Sequence, residues 1–116
     1  MNYKIYHNPR CGKSREGLAI LSAFTNHFEI IDYLKNPPTL NEISALLHQL
    51  NIDPIDLIRK NESIWKELYQ GKDLNKQEIL AALVTRPKLI QRPIIIKNNQ
   101  AIIGRPSEIV ADFLKS

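Results

Sequence analysis

Cysteine is nearly absent from this sequence. One cysteine, Cys11, occurs among 116 residues. A single thiol excludes an intramolecular disulfide and a zinc site built from several cysteines, and a lone free thiol is typical of a reducing compartment. We therefore expect a cytoplasmic protein without a bound metal ion.

Long hydrophobic runs and charge blocks are also lacking. No apolar stretch approaches the roughly eighteen residues of a membrane span, and polar residues interrupt Met1 to Arg10 too often for a signal-peptide core. The net charge is +4, but basic residues form no run longer than two. Such a modest excess fits ordinary solubility or a small anionic substrate, and we expect neither nucleic acid nor membrane as a partner.

Hydrophobic periodicity predicts an α/β fold in one domain covering residues 1–116. The pattern indicates a β-α-β unit, then several helices, then a β-β-α unit. A parallel strand pair and a closing hairpin combine into a mixed four-stranded sheet with helices on its faces. This arrangement is thioredoxin-like, with a helical insert at about residues 38–88.

Helix-start signals mark the predicted insert. Thr39 with Glu42 has the form of a capping box, and Asn75 with Glu78 opens a later helix. Asp53 followed by proline is a third start signal, and it predicts a short helix that carries Ile55, Ile58 and Arg59. Residues 63–69 are predicted to add a turn or two of helix.

Cys11 falls between the first strand, Tyr3 to His7, and a helix predicted from Ser14 to Phe24. A free cysteine is usually a small buried hydrophobe. Here Arg10, Lys13, Arg15 and His7 lie within four residues, and the start of a helix offers unpaired backbone donors and a positive dipole end. These features favour the thiolate, which is the nucleophilic form.

The same connection suits an oxyanion. Backbone donors from Gly12 onward can point at its oxygens. The Cys-x5-Arg signature of phosphatase loops is absent because position 17 is glycine, which argues against a cysteine phosphatase. Ser14 either hydrogen-bonds the thiolate or serves the helix start, and His7 either raises the thiolate fraction or simply ends a strand.

Three arginines are candidate oxyanion ligands: Arg59, Arg92 and Arg105. A guanidinium matches a tetrahedral oxyanion through paired donors, although a single arginine is most often a solvated surface residue, and spacing does not show that these three converge. Pro93, before the third strand, is open to a cis bond or to a trans proline at a strand start.

The segment from His7 to Arg15 resembles the HNPxCxxSR loop of the ArsC family of arsenate reductases, the glutaredoxin-coupled kind. Four further blocks are similar to segments of that family and occur in the right order: Tyr33–Pro38, Leu57–Glu62, Gln91–Ile94 and Gly104–Glu108. Position 10 departs from the family, since arginine stands where a small residue is frequent. The chain ends soon after the last predicted helix, as in a short subgroup of the family.

The resemblance implies a thioredoxin-like fold with a helical insert and a cis bond at Pro93. It implies Cys11 as the nucleophile, with His7 lowering its pKa. The family's three oxyanion arginines map onto Arg59, Arg92 and Arg105, and the loop residues Gly12, Ser14 and Arg15 complete the expected substrate-binding set.

The resemblance further implies reduction of arsenate to arsenite without a bound cofactor. Two electrons are needed, and this chain has one thiol, so glutathione is the expected co-substrate and glutaredoxin the expected partner that resolves a mixed disulfide on Cys11.

Two alternatives from other classes stay open. A Spx-type regulator that binds RNA polymerase commonly carries Cys-x-x-Cys, whereas Ser14 stands in the second place here. A monothiol glutaredoxin-like protein has the Cys-Gly-x-Ser form of Cys11–Ser14 and binds glutathione or an iron–sulfur cluster. The blocks around the three arginines argue against this second alternative.

Overall fold

The chain folds as a β-α-β unit, a helical segment and a β-β-α unit, in the predicted order. The structure is a computed structural model and describes residues 2–116. The elements are β1 (Tyr3–His7), α1 (Gly12–Phe24), β2 (Glu29–Asp32), α2 (Leu40–Leu50), α3 (Ser63–Leu68), α4 (Lys76–Thr85), β3 (Ile94–Lys97), β4 (Gln100–Ile103) and α5 (Glu108–Lys115), with 3-10 turns at Pro54–Leu57 and Pro87–Leu89.

The four strands form one mixed sheet in the order β2-β1-β3-β4. The pair β1–β2 is parallel, and α1 makes the crossover between them. The pairs β1–β3 and β3–β4 are antiparallel, and the register places Tyr6 opposite Ile94 and Ile94 opposite Ile103. The predicted mixed four-stranded sheet is therefore confirmed.

Two compact units divide the chain. The first contains Met1–Asn36 and Arg92–Ser116, and the second contains Pro37–Gln91. The first unit thus holds the whole sheet with α1 and α5, and the second holds the helical segment predicted at about residues 38–88. The assignment of the chain to a single domain stays a prediction.

The core of the first unit lies on one face of the sheet. Ile5 and Ile95 from the central strands pack with Leu21 of α1 and with Val110 and Leu114 of α5, all of them almost completely buried. Side chains alternate between the faces of a strand. The residue two positions after Ile5 therefore points to the same face as Ile5, towards the helices, and that residue is His7.

Reciprocal capping boxes start both long helices of the second unit, which confirms the predicted box at Thr39 and the predicted helix start at Asn75. The Glu42 amide donates to Thr39 Oγ1 at 3.2 Å, and the Thr39 amide donates to Glu42 Oε1 at 2.9 Å. The same exchange joins Asn75 and Glu78 at the start of α4. Each box satisfies backbone donors that a helix start otherwise leaves open.

The predicted short helix around Arg59 is wrong. Only a 3-10 turn forms, at Pro54–Leu57, and the backbone of Ile58 is extended and bridges Ile90. The cause lies in the backbone hydrogen bonds, because the Arg59 amide donates to the Leu89 carbonyl at 2.7 Å instead of to a preceding turn of helix. Asp53 Oδ1 does not cap the turn and lies 3.7 Å from Lys76 Nζ.

We expect Thr39→Ala to lower the free energy of unfolding by about 1 kcal/mol, because it removes the acceptor for an orphan amide of α2. Chemical denaturation measures this change. Ser44→Ala, at an exposed position inside the same helix, is the matched control and should leave stability unchanged or slightly higher. Equal stability of the two variants would contradict the role of the cap.

Candidate active site

Cys11 sits at the cap position of α1, directly before the first helical residue. Its amide donates to the Asn8 carbonyl at 3.0 Å, which closes a turn between β1 and the helix. The turn is held further by the Asn8 side chain, which accepts from the Arg10 amide at 3.0 Å, and by Arg15 Nη1, which donates to the Pro9 carbonyl at 2.9 Å. The thiol is partly exposed, so a ligand can reach it.

The surroundings of the thiol favour its ionised form. Partial burial raises the pKa of Cys11, but a hydrogen bond from the Arg92 side chain, the charge of that side chain and hydrogen bonds from the backbone amides of Ser14 and Lys13 lower it, and the net pKa lies below its usual value. This outcome is expected at a helix start, where free amides and a cation stabilise an anion.

His7 and Ser14 form a buried pair beneath the loop. His7 Nδ1 lies 2.7 Å from Ser14 Oγ, and the same Oγ accepts from the Asn8 amide at 2.9 Å. Burial lowers the pKa of His7; the Asp32 carboxylate raises it and Arg15 lowers it, and the net pKa lies below its usual value. A neutral imidazole at neutral pH can therefore accept a hydrogen bond from the Ser14 hydroxyl.

The pair shows which groups the Ser14 side chain bonds. Its hydroxyl is completely buried and engaged by His7 and Asn8, while its backbone amide is the group that bonds the Cys11 thiol. The side chain therefore bonds the end of β1 and the turn that follows it, and it caps no amide of the helix start. The roles of Ser14 in substrate binding and of His7 in lowering the pKa of the thiol stay predictions.

Strand register brings two of the three predicted arginines to the loop that carries Cys11. Because β3 runs antiparallel to β1 and β4 antiparallel to β3, the segment before β3 and the segment after β4 lie at the end of the sheet where β1 leads into Cys11. Arg92 reaches the thiol from the first segment. Arg105, in the second, directs Nη1 at the Arg92 carbonyl at 3.4 Å.

Arg59 belongs to the second unit. Its Nη1 lies 3.4 Å from Glu62 Oε1, and its side chain is 12% exposed. The guanidinium is thus largely withdrawn from water and forms an ion pair with a carboxylate. Its assignment as an oxyanion ligand stays a prediction.

Gly12 and Arg15, in the first turn of α1, are both exposed. A Cβ added at Gly12 would meet only Arg15 Nη2, at 3.7 Å, so space does not require glycine there. Arg15 contributes mainly to the shape of the loop, through its bond to the Pro9 carbonyl. Their place in substrate binding stays a prediction.

The bond between Arg92 and Pro93 is cis, as the resemblance implied, and the bond between Arg105 and Pro106 is cis as well. Sequence reasoning missed the second cis bond. It also missed Gly17, which it used only to exclude a phosphatase loop. The available signal was a glycine inside an apolar helical pattern, which often has a packing reason.

A cavity of about 250 Å³ lies beside the loop, on the side of the residues that follow β2. Its lining combines apolar and charged side chains: Asn8, Pro9, Arg10, Asp32, Leu34 and Lys35. Within residues 2–116, no group of three or more histidine, cysteine, aspartate or glutamate side chains could hold a metal ion. In the same range, no helix has both the length and the apolar character that crossing a membrane demands.

We expect Arg92→Ala to raise the pKa of the Cys11 thiol, because the substitution removes a hydrogen bond and a positive charge from the thiolate. The rate of iodoacetamide alkylation, followed against pH, should show a higher midpoint and a rate at pH 7 that is lower by about three- to tenfold, the partly exposed site being screened by water.

Arg10→Ala is the matched control, since the side chain of Arg10 is exposed in the same loop. It should leave the midpoint close to that of the unchanged protein. A larger shift in Arg10→Ala than in Arg92→Ala would contradict the assignment of Arg92 as the principal cation at the thiol.

Comparisons with known proteins agree with this geometry. The model of the ArsC family matches residues 6–113. The uncharacterized protein YfgD of Escherichia coli K12 is 39% identical over 113 residues, covering 96% of this chain and 95% of the relative. An arsenate reductase of Haemophilus influenzae is 37% identical over 116 residues, covering 98% of this chain and 100% of the relative.

Solved structures agree as well. An arsenate reductase from Vibrio cholerae superimposes with a TM-score of 0.90 at 40% identity, covering 97% of each chain. This match and the observed sheet confirm the predicted thioredoxin-like α/β fold. The family model and the relatives cover nearly the whole chain, including the turn that carries Cys11 and the arginines before β3 and after β4. The chain belongs to the ArsC family.

Proposed function

We propose that this protein is an oxidoreductase that reduces arsenate to arsenite through the thiolate of Cys11. The carrying observation is the position of that thiol at the start of α1, bonded by Arg92 and by backbone amides that lower its pKa. The relatives named arsenate reductase in Haemophilus influenzae and Vibrio cholerae support arsenate as the oxyanion.

In the first step, the Cys11 thiolate attacks the arsenic atom and an arsenate oxygen leaves as water. The nucleophile and the oxyanion are both negative, so their approach needs neutralising charge. Arg92 supplies a cation at the sulfur, and the nearby Arg105 can donate to the arsenate oxygens. We assign both to substrate binding, together with the backbone amides that follow Gly12.

In the second step, glutathione attacks the thiol-bound arsenic centre and supplies the second sulfur. Arsenate, one Cys11 thiol and one glutathione thiol give arsenite, one water and a mixed disulfide between Cys11 and glutathione. The two sulfurs lose the two electrons that arsenic gains. Glutaredoxin then releases the Cys11 thiol by exchange, and the protein itself needs no bound cofactor.

The cavity beside the loop supports an external thiol. It adjoins the residues that precede Cys11, and the cations of Arg10 and Lys35 line it. Glutathione carries two carboxylates and an ammonium group, which complement a lining that holds two cations and the Asp32 carboxylate. A reducing cytoplasm, where glutathione is abundant, is the corresponding location that we propose.

The regulator alternative is weakened by the surroundings of Ser14. A redox switch of the Cys-x-x-Cys kind needs a second thiol at this position, able to reach the first. The side chain at position 14 is completely buried and bonded to His7 and to the Asn8 amide, so this loop is built around a buried hydroxyl.

The proposed activity requires Cys11. With arsenate, glutathione, glutaredoxin, glutathione reductase and NADPH, we expect arsenate-dependent loss of NADPH absorbance. We expect Cys11→Ser to abolish this loss, because a hydroxyl cannot form the mixed disulfide with glutathione. Omission of arsenate is the control for background oxidation. Equal turnover in Cys11→Ser, or no turnover in the unchanged protein, would contradict the proposal; tight binding to RNA polymerase would then favour the regulator.

Arg59 tests the oxyanion assignment separately from thiol activation. We expect Arg59→Ala to reduce the catalytic efficiency with arsenate by about tenfold or more, as expected for loss of a charge-assisted hydrogen bond, and to leave iodoacetamide alkylation of Cys11 largely intact. Lys60→Ala, at the exposed neighbouring position, is the control for loss of one positive charge. Unchanged arsenate kinetics in Arg59→Ala would remove Arg59 from the site.

A further inference from the structure

Gly17 lies inside α1 at a place where the helix has no room for a side chain. It is buried, and a Cβ built on its backbone would come within 2.8 Å of Pro93 Cγ and 3.4 Å of Pro93 Cβ. Real Cβ atoms essentially never approach another carbon to 2.8 Å, so any larger residue at position 17 requires the Pro93 ring or the helix to move.

A glycine in a helix interior is unfavourable by itself, since alanine forms helix better. Its presence therefore has to be explained by what surrounds it. The contact with Pro93 provides the explanation in this unit, because the next nearest atom to the added Cβ is Ile95 Cδ1 at an ordinary 3.7 Å.

Pro93 is enclosed from a second direction by Gly104. A Cβ at Gly104 would lie 3.1 Å from Pro93 Cγ and 3.1 Å from Val110 Cγ2, and the Gly104 amide donates to the Pro93 carbonyl at 2.8 Å. Two glycines from different segments thus leave a space that the proline ring fills, and the hydrogen bond ties the ring's residue to the segment after β4.

Arg92 directly precedes this enclosed proline. Its side chain hydrogen-bonds the Cys11 thiol, and its carbonyl accepts from Arg105. A shift of the Pro93 ring by a few tenths of an ångström is carried into the Arg92 backbone through one peptide unit, which is planar and stiff. Cys11 stands at the start of the same helix that carries Gly17. The close approach of Gly17 to Pro93 therefore sets the positions of both the Cys11 thiol and the Arg92 guanidinium.

We infer that Gly17 is a positioning residue, which lets α1 pack directly against Pro93 and thereby holds the Arg92 guanidinium in register with the Cys11 sulfur. The inference builds on the proposed role of the Cys11 thiolate, but it concerns the geometry that prepares the thiol and does not depend on the identity of the oxyanion.

The test is the pH profile of iodoacetamide alkylation of the full-length protein, which needs no arsenate and so separates this inference from the proposed reaction. We expect Gly17→Ala to move the midpoint to higher pH and to lower the rate at pH 7 by about threefold, an effect no larger than that of losing the Arg92 hydrogen bond altogether. Ala23→Ser, which adds one atom at an exposed position of α1, is the matched control and should not move the midpoint.

Two further variants distinguish positioning from a general loss of structure. Gly104→Ala presses on the same ring from outside α1 and should shift the midpoint in the same direction, and its milder contact keeps the test available if Gly17→Ala does not fold. In an Arg92→Ala background, Gly17→Ala should cause no further shift, because the group through which it acts is gone.

Circular dichroism and chemical denaturation establish that each variant is folded before alkylation is compared. A midpoint unchanged in folded Gly17→Ala and Gly104→Ala overturns the inference. An equal shift from Gly17→Ala with and without Arg92 also overturns it, since the glycine would then act on the thiol by another route, such as the helix start.

Discussion

The hydrogen bond between the Arg92 guanidinium and the Cys11 thiol joins two connections that are distant in sequence, and the proposed chemistry depends on it. Burial alone would raise the pKa of the thiol, because a partly desolvated anion is unfavourable. Arg92 and the amides of Lys13 and Ser14 outweigh that effect. The contact exists because β3 pairs antiparallel with β1, which returns the segment before β3 to the end of the strand that leads into the loop.

A second constraint is that the buried pair of His7 and Ser14 beneath the loop stays uncharged. Protonated His7 would add a buried cation next to Arg15, and the pKa of His7 is lowered by burial and by Arg15 in spite of Asp32. A neutral ring can stay buried against Ser14. The Ser14 hydroxyl oxygen can then accept a hydrogen bond from the Asn8 amide, at the start of the turn. The ring therefore adds no positive charge beneath the loop, and the cation that acts on the thiol is Arg92.

Local signals in the sequence were enough to predict most elements of the fold. The capping boxes at Thr39 and Asn75 are local patterns with a local physical cause, and both formed. The start signal at Asp53 misled, because the backbone that follows it bonds to residues near Leu89 and not to its own turn. Such a choice is made by long-range pairing, which a window of a few residues does not contain.

The candidate site shows the same difference between local signals, which the sequence contains, and long-range pairing, which it does not show. Cys11 at a helix start was predictable from the spacing of a strand, a break and an apolar period. Convergence of Arg92 and Arg105 was not, because it follows from strand register, and the three arginines were brought together in the prediction only by family resemblance. Gly17 was overlooked because the absence of a side chain acquires meaning only when the opposing surface, here Pro93, is known.

In the proposed reaction, the single thiol of this chain explains why the site combines positive charge with accessibility. A protein with two cysteines can reduce a substrate inside a closed pocket, since both sulfurs are already present. This chain has one, so in the proposed reaction a second thiol approaches from solvent and another protein reaches the product disulfide. A deeply buried Cys11 would be shielded from both. Partial exposure weakens each charge interaction by solvent screening, and the site compensates with several small contributions: a cation, two amides and the geometry that holds them in register.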